Sequence, residues 1–145
     1  MEAENKKLAI DTGLVTYSLN GKCELTFNPT DSAFVEALFN AFDTLDKKQE
    51  EYKAEIKKKA NNREVFEVAR KMDEEMREII NEIFGVDVCG ALFGGMNVYA
   101  LAGGLPVWAN LMLTIMDEVD TSFAREKKAQ SPRIAKYTKK YGNSK

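Results

Sequence analysis

The stretch Val15-Thr16-Tyr17-Ser18-Leu19-Asn20-Gly21-Lys22-Cys23-Glu24-Leu25-Thr26-Phe27-Asn28-Pro29-Thr30-Asp31 decides the fold class, because its chemistry changes from strand to helix within a few residues. β-branched and aromatic residues run from Leu8 to Phe27 and are split by Asn20-Gly21, a pair suited to the two positive-φ positions of a type I′ turn. Past the turn, Cys23, Leu25 and Phe27 alternate with Lys22, Glu24 and Thr26, so one face is apolar and the other wet. A hairpin over 8–28 is expected, and since a lone hairpin is only marginally stable, its apolar face should rest on helices. Asn28-Pro29-Thr30-Asp31 then reads as a helix start, with Asn28 as N-cap, Pro29 at the first helical position and Asp31 near the positive end of the dipole.

The first long helix is expected from there to about Ala60, with Phe34, Leu38, Ala41 or Phe42, Leu45, Tyr52 and Ile56 on one side. Asn61-Asn62 interrupts it. A second helix runs from Arg63 to Phe84, with Val65, Ala69, Met72, Met76, Ile79 and Ile83 at alternating steps of four and three. That heptad spacing and the short connection predict an antiparallel helical hairpin, closed by Gly85 as the C′ residue. Glu64, Glu67, Asp73, Glu74, Glu75, Glu78 and Glu82 on this helix are interspersed with Arg63, Arg70, Lys71 and Arg77, which marks a solvated face with i,i+4 pairs rather than a metal site.

Val88 to Met116 contains no charged residue and five glycines, Gly90, Gly94, Gly95, Gly103 and Gly104. Its length exceeds the roughly 20 residues of a membrane span, and a basic segment follows it. Yet Gly94-Gly95, Asn97, Gly103-Gly104, Pro106 and Asn110 leave no continuous apolar helix of that length, so a buried loop and core helix is the better reading. Gly90-x-x-x-Gly94 has only the form of a helix-dimerisation motif. A short helical turn is expected inside 87–95. A third long helix, opened by Leu105 or Pro106, carries Trp108, Leu111, Met112, Ile115, Val119 and Phe123 on its apolar side. The fold class is therefore α+β, mainly α: a β-hairpin on a bundle of three principal helices. Residues 1–128 form the domain, and 129–145 a basic, mobile tail.

Composition narrows the function. The 145 residues fit one domain, 44% hydrophobic and 30% charged. There is no histidine, which removes imidazole bases, Ser–His and Cys–His nucleophile pairs and histidine-ligated zinc. Cys23 and Cys89 stand far apart and form no CxxC motif. Residues 1–7 are charged and lead into no secretory h-region, so a cytoplasmic protein is expected. Neither GxGxxG nor GxxxxGK[ST] is present. No cofactor and no metal is expected. Net charge is −2, but from Arg125 onward eight basic residues face Glu126 alone, a tail of +7 on a body of −9.

An N-terminal hairpin, Phe27-Asn28-Pro29-Thr30-Asp31 before a long helix, charged helices ending Ile83-Phe84-Gly85, a glycine-rich Leu92-Phe93-Gly94 segment and a last helix with a basic Lys-Tyr tail follow one another in that order. Over roughly residues 8 to 141 the chain resembles small helical proteins encoded in the tail modules of siphophages and prophages of Gram-positive hosts, in particular tail assembly chaperone-like proteins. The resemblance implies a non-enzymatic protein in the cytoplasm of the bacterial host. Such a protein coats the tape measure protein, keeps its apolar helices soluble and recruits tail-tube subunits. It transfers no individual residue's role.

The residues themselves offer adaptable methionine and aromatic positions for a partner's apolar segment, namely Met72, Met76, Phe93, Met96, Trp108 and Met112. They also offer basic and tyrosine positions in the tail, Lys136, Tyr137, Lys139, Lys140 and Tyr141, to steer an acidic partner. The tail of one copy docking on an acidic helix of another makes a homo-oligomer a linked expectation. Two alternatives remain: a nucleic-acid-binding accessory protein acting through the basic tail, and a membrane-active phage protein spanning through 88–116. Because the tail adds few apolar residues to a core, removing 129–145 is expected to leave the circular-dichroism melting midpoint unchanged.

Overall fold

The structure, a computed structural model, describes residues 3–129 and 132–141, with Tyr141 described in its main chain alone. β1 (Val15–Leu19) and β2 (Cys23–Phe27) pair antiparallel, with Val15 opposite Phe27 and Leu19 opposite Cys23. Asn20 and Gly21 take φ values of 53° and 67°, and the Lys22 N–H closes the turn on the Leu19 carbonyl at 2.9 Å, as a type I′ turn requires. The hairpin is shorter than the expected 8–28. At Asp11 the side chain accepts from the Gly13 N–H, Gly13 adopts φ 70°, and the Asn28 amide donates to the Thr12 carbonyl, so the chain turns away before the ladder begins. Tyr17 and Phe27 stack at 4.9 Å, and Phe27 on Phe34 at 4.5 Å, which fastens the apolar face of the hairpin to the first helix.

Helix α1 (Ser32–Lys58) is capped by Asp31, whose carboxylate accepts from the Ala33 N–H, and not by Asn28. The Asn28 side chain instead accepts from the N–H and hydroxyl of Thr30, forming a turn that leaves Pro29 outside the helix. Helix α2 (Asn62–Phe84) is capped by Asn61, which accepts from the Glu64 N–H, while the Glu64 carboxylate reaches back to the Ala60 N–H. Gly85 ends α2 in the left-handed region with φ 69°, as expected. Phe34 meets Phe84 at 6.2 Å and Lys48 meets Glu75 at 3.4 Å, so the two helices run antiparallel. Leu38 and Leu45 of α1 share one core with Met72, Met76 and Ile80 of α2. The inward stripe of α2 thus steps by four to Ile80, with Ile79 and Ile83 on its flank, because 3.6 residues per turn drift off a strict heptad.

Beside that apolar stripe α2 carries a polar one, at positions 69, 73, 77 and 81, and on it the uncharged stretch docks. The Asn97 amide donates to the Ala69 carbonyl, and the Val98 N–H donates to Asp73 at 2.7 Å. Arg77 pairs with Asp73 at 3.0 Å and donates to the carbonyls of Gly94 and Met96. Asn81 accepts from the Cys89 N–H and donates to Asp87. Asp87 in turn caps the short helix α3 (Val88–Phe93), the helical turn expected inside 87–95.

Leu105 and Pro106 do not open the last long helix. They form β4 (Leu105–Pro106), which pairs with β3 (Leu101–Ala102) across Gly103-Gly104, both with positive φ. Helix α4 starts one residue later (Val107–Ala129) and buries Trp108, Leu111, Met112, Ile115 and Val119. The Trp108 indole N–H donates to Gln49 of α1 at 2.7 Å. The stripe then continues to Ser122, which is buried, and not to Phe123, which is 45% exposed. Residues 88–116 are thus split among α3, a small hairpin and half of α4, and among the described residues no helix is long and apolar enough to cross a membrane.

Part of the expected tail is helical: α5 (Arg133–Tyr141) is exposed along 133–140 and its first turn is closed by the Lys136 N–H on the Pro132 carbonyl. Positions 130, 131 and 142–145 of the tail lie outside the described residues.

Asp73 and Arg77 are largely buried, with side chains 16% and 19% exposed. Asp73→Ala would strand both the Arg77 guanidinium and the Val98 N–H, and is expected to destabilise the fold by about 3 kcal/mol. Urea unfolding, read as a lower midpoint at unchanged slope, measures it.

Candidate functional site: an apolar groove beside a hairpin turn

The eleven residues expected to meet a partner do not converge. Met72, Met76, Trp108 and Met112 fill the core, so no partner reaches them while this packing holds. Phe93 is half-buried at the end of α3, and Met96, 51% exposed, rides on the loop that Arg77 holds. Lys136, Tyr137, Lys139 and Lys140 are exposed on α5, and Lys136 lies 5.6 Å from the centre of the Tyr137 ring. The side chain of Tyr141 lies outside the described residues.

The structure gathers a different set around Phe93. A groove of about 430 Å³ is lined by Ser18, Leu19 and Asn20 of the first hairpin, Leu92 and Phe93 of α3, Ala102 of β3, and Val107, Asn110, Leu111 and Thr114 of α4. None of these side chains carries a charge. Ser18 and Leu19 end β1 and Asn20 opens its turn, so this wall is the turn end of the first hairpin. The groove thus has an apolar floor bordered on one side by the turn end of a two-stranded sheet. Its far wall is pinned: the Asn110 amide donates to the Ala102 carbonyl and the Thr114 hydroxyl to the Asn110 carbonyl. The hairpin that supplies Ala102 also presents Leu101 and Leu105, 73% and 41% exposed.

Of the groove residues only Phe93 is among the positions expected from the sequence to meet a partner. The others come from four separate segments, and their shared signal is the absence of charge between Val88 and Met116 together with the Asn20-Gly21 turn.

Two other features have chemical character. Tyr52 stacks on Tyr99 at 3.8 Å and 8°, below the exposed ring of Phe66, and the buried Tyr99 hydroxyl has no hydrogen-bond partner among the described residues. Burial raises both phenols above their ordinary pKa, Tyr99 the more strongly, so both stay protonated. Cys89 is fully buried, and loss of hydration pushes its thiol up to about 12 against the nearby Arg77 charge, which favours the thiolate. Such a thiol is not a nucleophile near neutral pH. Among the described residues no three of His, Cys, Asp or Glu converge as metal ligands.

The chain matches no protein-family model, no curated protein and no solved structure.

The two cysteines are expected to differ in reactivity. At pH 8 iodoacetamide should modify half-buried Cys23 in the native protein and Cys89 only after denaturation, counted by intact-mass spectrometry.

Proposed function

We propose that this chain is a non-enzymatic phage tail assembly protein, chaperone-like, that acts in the cytoplasm of the bacterial host by holding apolar segments of the tape measure protein, the tail-tube protein or both. The observation that carries the reading is the groove: an uncharged floor of Leu92, Phe93, Val107 and Leu111 beside the turn end of the first hairpin. An uncharged floor accepts a guest's apolar side chains by burial, which is not directional, so selection is by hydrophobicity rather than by one sequence. That suits a factor whose client is long and repetitive in character. The resemblance in the order of parts supplies the biological setting.

Helix α5 adds Arg133, Lys136, Lys139 and Lys140 with no acidic residue among them, a charge that steers an acidic partner and speeds its arrival. Leu101 and Leu105 extend the apolar surface next to the groove.

Co-expression with the neighbouring tail-module proteins, affinity purification and mass determination of what co-elutes tests the proposal. The expected result is recovery of a tape measure or tube protein. Ala102→Asp, which sets a carboxylate against the groove, is expected to weaken capture by about tenfold or more with an unchanged melting midpoint, since an unpaired buried charge costs several kcal/mol. Recovery of nucleic acid alone, or capture unaffected by Ala102→Asp, would overturn it.

A further inference from the structure

We propose that the cleft between the second half of α1, the first half of α2 and the loop at 97–100 is a separate docking site, for an acidic segment of a partner protein that carries an aromatic side chain. The cleft, of about 390 Å³, has Tyr52 of α1, Phe66 and Arg70 of α2 and Tyr99 of the docked stretch in its walls. It shares no lining residue with the groove, so the inference stands whichever tail protein the groove holds. Its walls are fixed before any guest arrives: Tyr52 and Tyr99 stack at 3.8 Å and 8°, and Asn97 donates to the Ala69 carbonyl while accepting from the Tyr99 N–H. Beside them Phe66 is 58% exposed. Three aromatic residues around one opening favour a guest ring, which gains contact with them beyond the burial of its area.

Clustered rings also hold cations, and the charges decide between the two kinds of guest. Arg63, Phe66 and Arg70 stand at i, i+3 and i+7 on one face of α2, and Arg63, Phe66, Glu67 and Arg70 line a hollow that adjoins the cleft. Among the described residues neither guanidinium makes an ion pair or a side-chain hydrogen bond, although Glu67 is one turn from each. The carboxylates felt by the Tyr99 hydroxyl, on Glu75, Glu51 and Asp73, do not line the cleft, and those of Glu75 and Asp73 are paired with Lys48 and Arg77. Two unpaired guanidinium groups beside a bare ring repel a cation and attract carboxylates, to which each can donate two parallel N–H bonds. Exposed ion pairs hold little on their own, so burial of the guest's ring against Phe66 and the tyrosine pair supplies the grip, and charge selects what enters. The basic α5 of a second copy, with Tyr137 among Lys136, Lys139 and Lys140, is turned away by the same charges.

Nitrogen-15 NMR titration of the full chain with the blocked peptide Asp-Asp-Trp-Asp-Asp tests the proposal. Saturable shifts are expected at positions 66–70 and 97–100, with Lys-Lys-Trp-Lys-Lys and Asp-Asp-Ala-Asp-Asp each binding about tenfold more weakly or less. Phe66 and Arg70 are exposed, so Phe66→Ala and Arg70→Glu should melt as the full chain does. Phe66→Ala is expected to weaken the acidic tryptophan peptide by about tenfold, and Arg70→Glu to abolish its preference over the basic one. No shift at these positions, shifts confined to α5, equal binding of the ringless or the basic peptide, or a preference unchanged in Arg70→Glu would overturn the inference. So would a dimer of the free chain in sedimentation equilibrium that Phe66→Ala dissociates, since a second copy would then occupy the cleft. A chain that binds the peptide here yet captures no tail protein would leave this inference standing and overturn the proposed function; capture without peptide binding would do the reverse.

Discussion

One ion pair on α2 holds the uncharged stretch of the chain in place. Asp73 and Arg77 face each other at 3.0 Å, and between them they satisfy the Val98 N–H and the carbonyls of Gly94 and Met96. A loop without charges of its own must still find partners for its main-chain polar groups when it lies against a core, and an unsatisfied one costs most of a hydrogen bond's worth of desolvation. The pair supplies those partners from a rigid helix. Val98 and Tyr99 are thereby set into the core, and the main chain from Val98 to Ala100 in turn receives the first N–H groups of α4, from Trp108 and Val107. Remove the pair and the start of α4 loses its reference.

Helix α2 can do this because two stripes run side by side along it. Met72, Met76 and Ile80 face α1 and the core, while Ala69, Asp73, Arg77 and Asn81, each one turn apart, face the docked stretch. The helix is at once a packing surface and a ladder of hydrogen-bonding groups. α4 is then fixed from the other side by the Trp108 indole on Gln49, and from the hairpin by the Tyr17 hydroxyl, which donates to Glu118 at 3.2 Å. The groove is what is left where the turn of the first hairpin, α3 and α4 meet without closing.

Much of the fold was legible because it is written locally. Asn20-Gly21 dictates its own turn, Gly85 its own left-handed stop, and the α1–α2 pairing follows from apolar spacing and a short connection. The errors arose where two local signals compete. Asn28 and Asp31 are both good caps, and Asn28 is lost to a turn with Thr30, leaving Asp31 to cap α1. Gly103-Gly104 is a turn signal as strong as Pro106 is a helix-start signal, and the hairpin took both Leu105 and Pro106. The apolar side of the last long helix was read on from Val119 to Phe123, whereas the helix turned Ser122 inward, where its hydroxyl donates to Glu118. Met72, Met76, Trp108 and Met112 look the same in a sequence whether they fill a core or await a partner; only the packed neighbours decide. The groove was illegible for a further reason, since it is assembled from four segments that nothing local brings together.

The segment before β1 and the far end of α4 meet at one place. Asp11, Thr12, Gly13 and Val15 border a cavity of about 320 Å³ together with Ser122, Arg125 and Glu126, and α5 begins four positions after α4 ends. One flank of the domain therefore brings the exposed aliphatic segment that leads into β1 next to the end of the helix that precedes the cationic α5. A ligand that touched both would be held at two points at once, and its retention would exceed that at either point alone without any added contact.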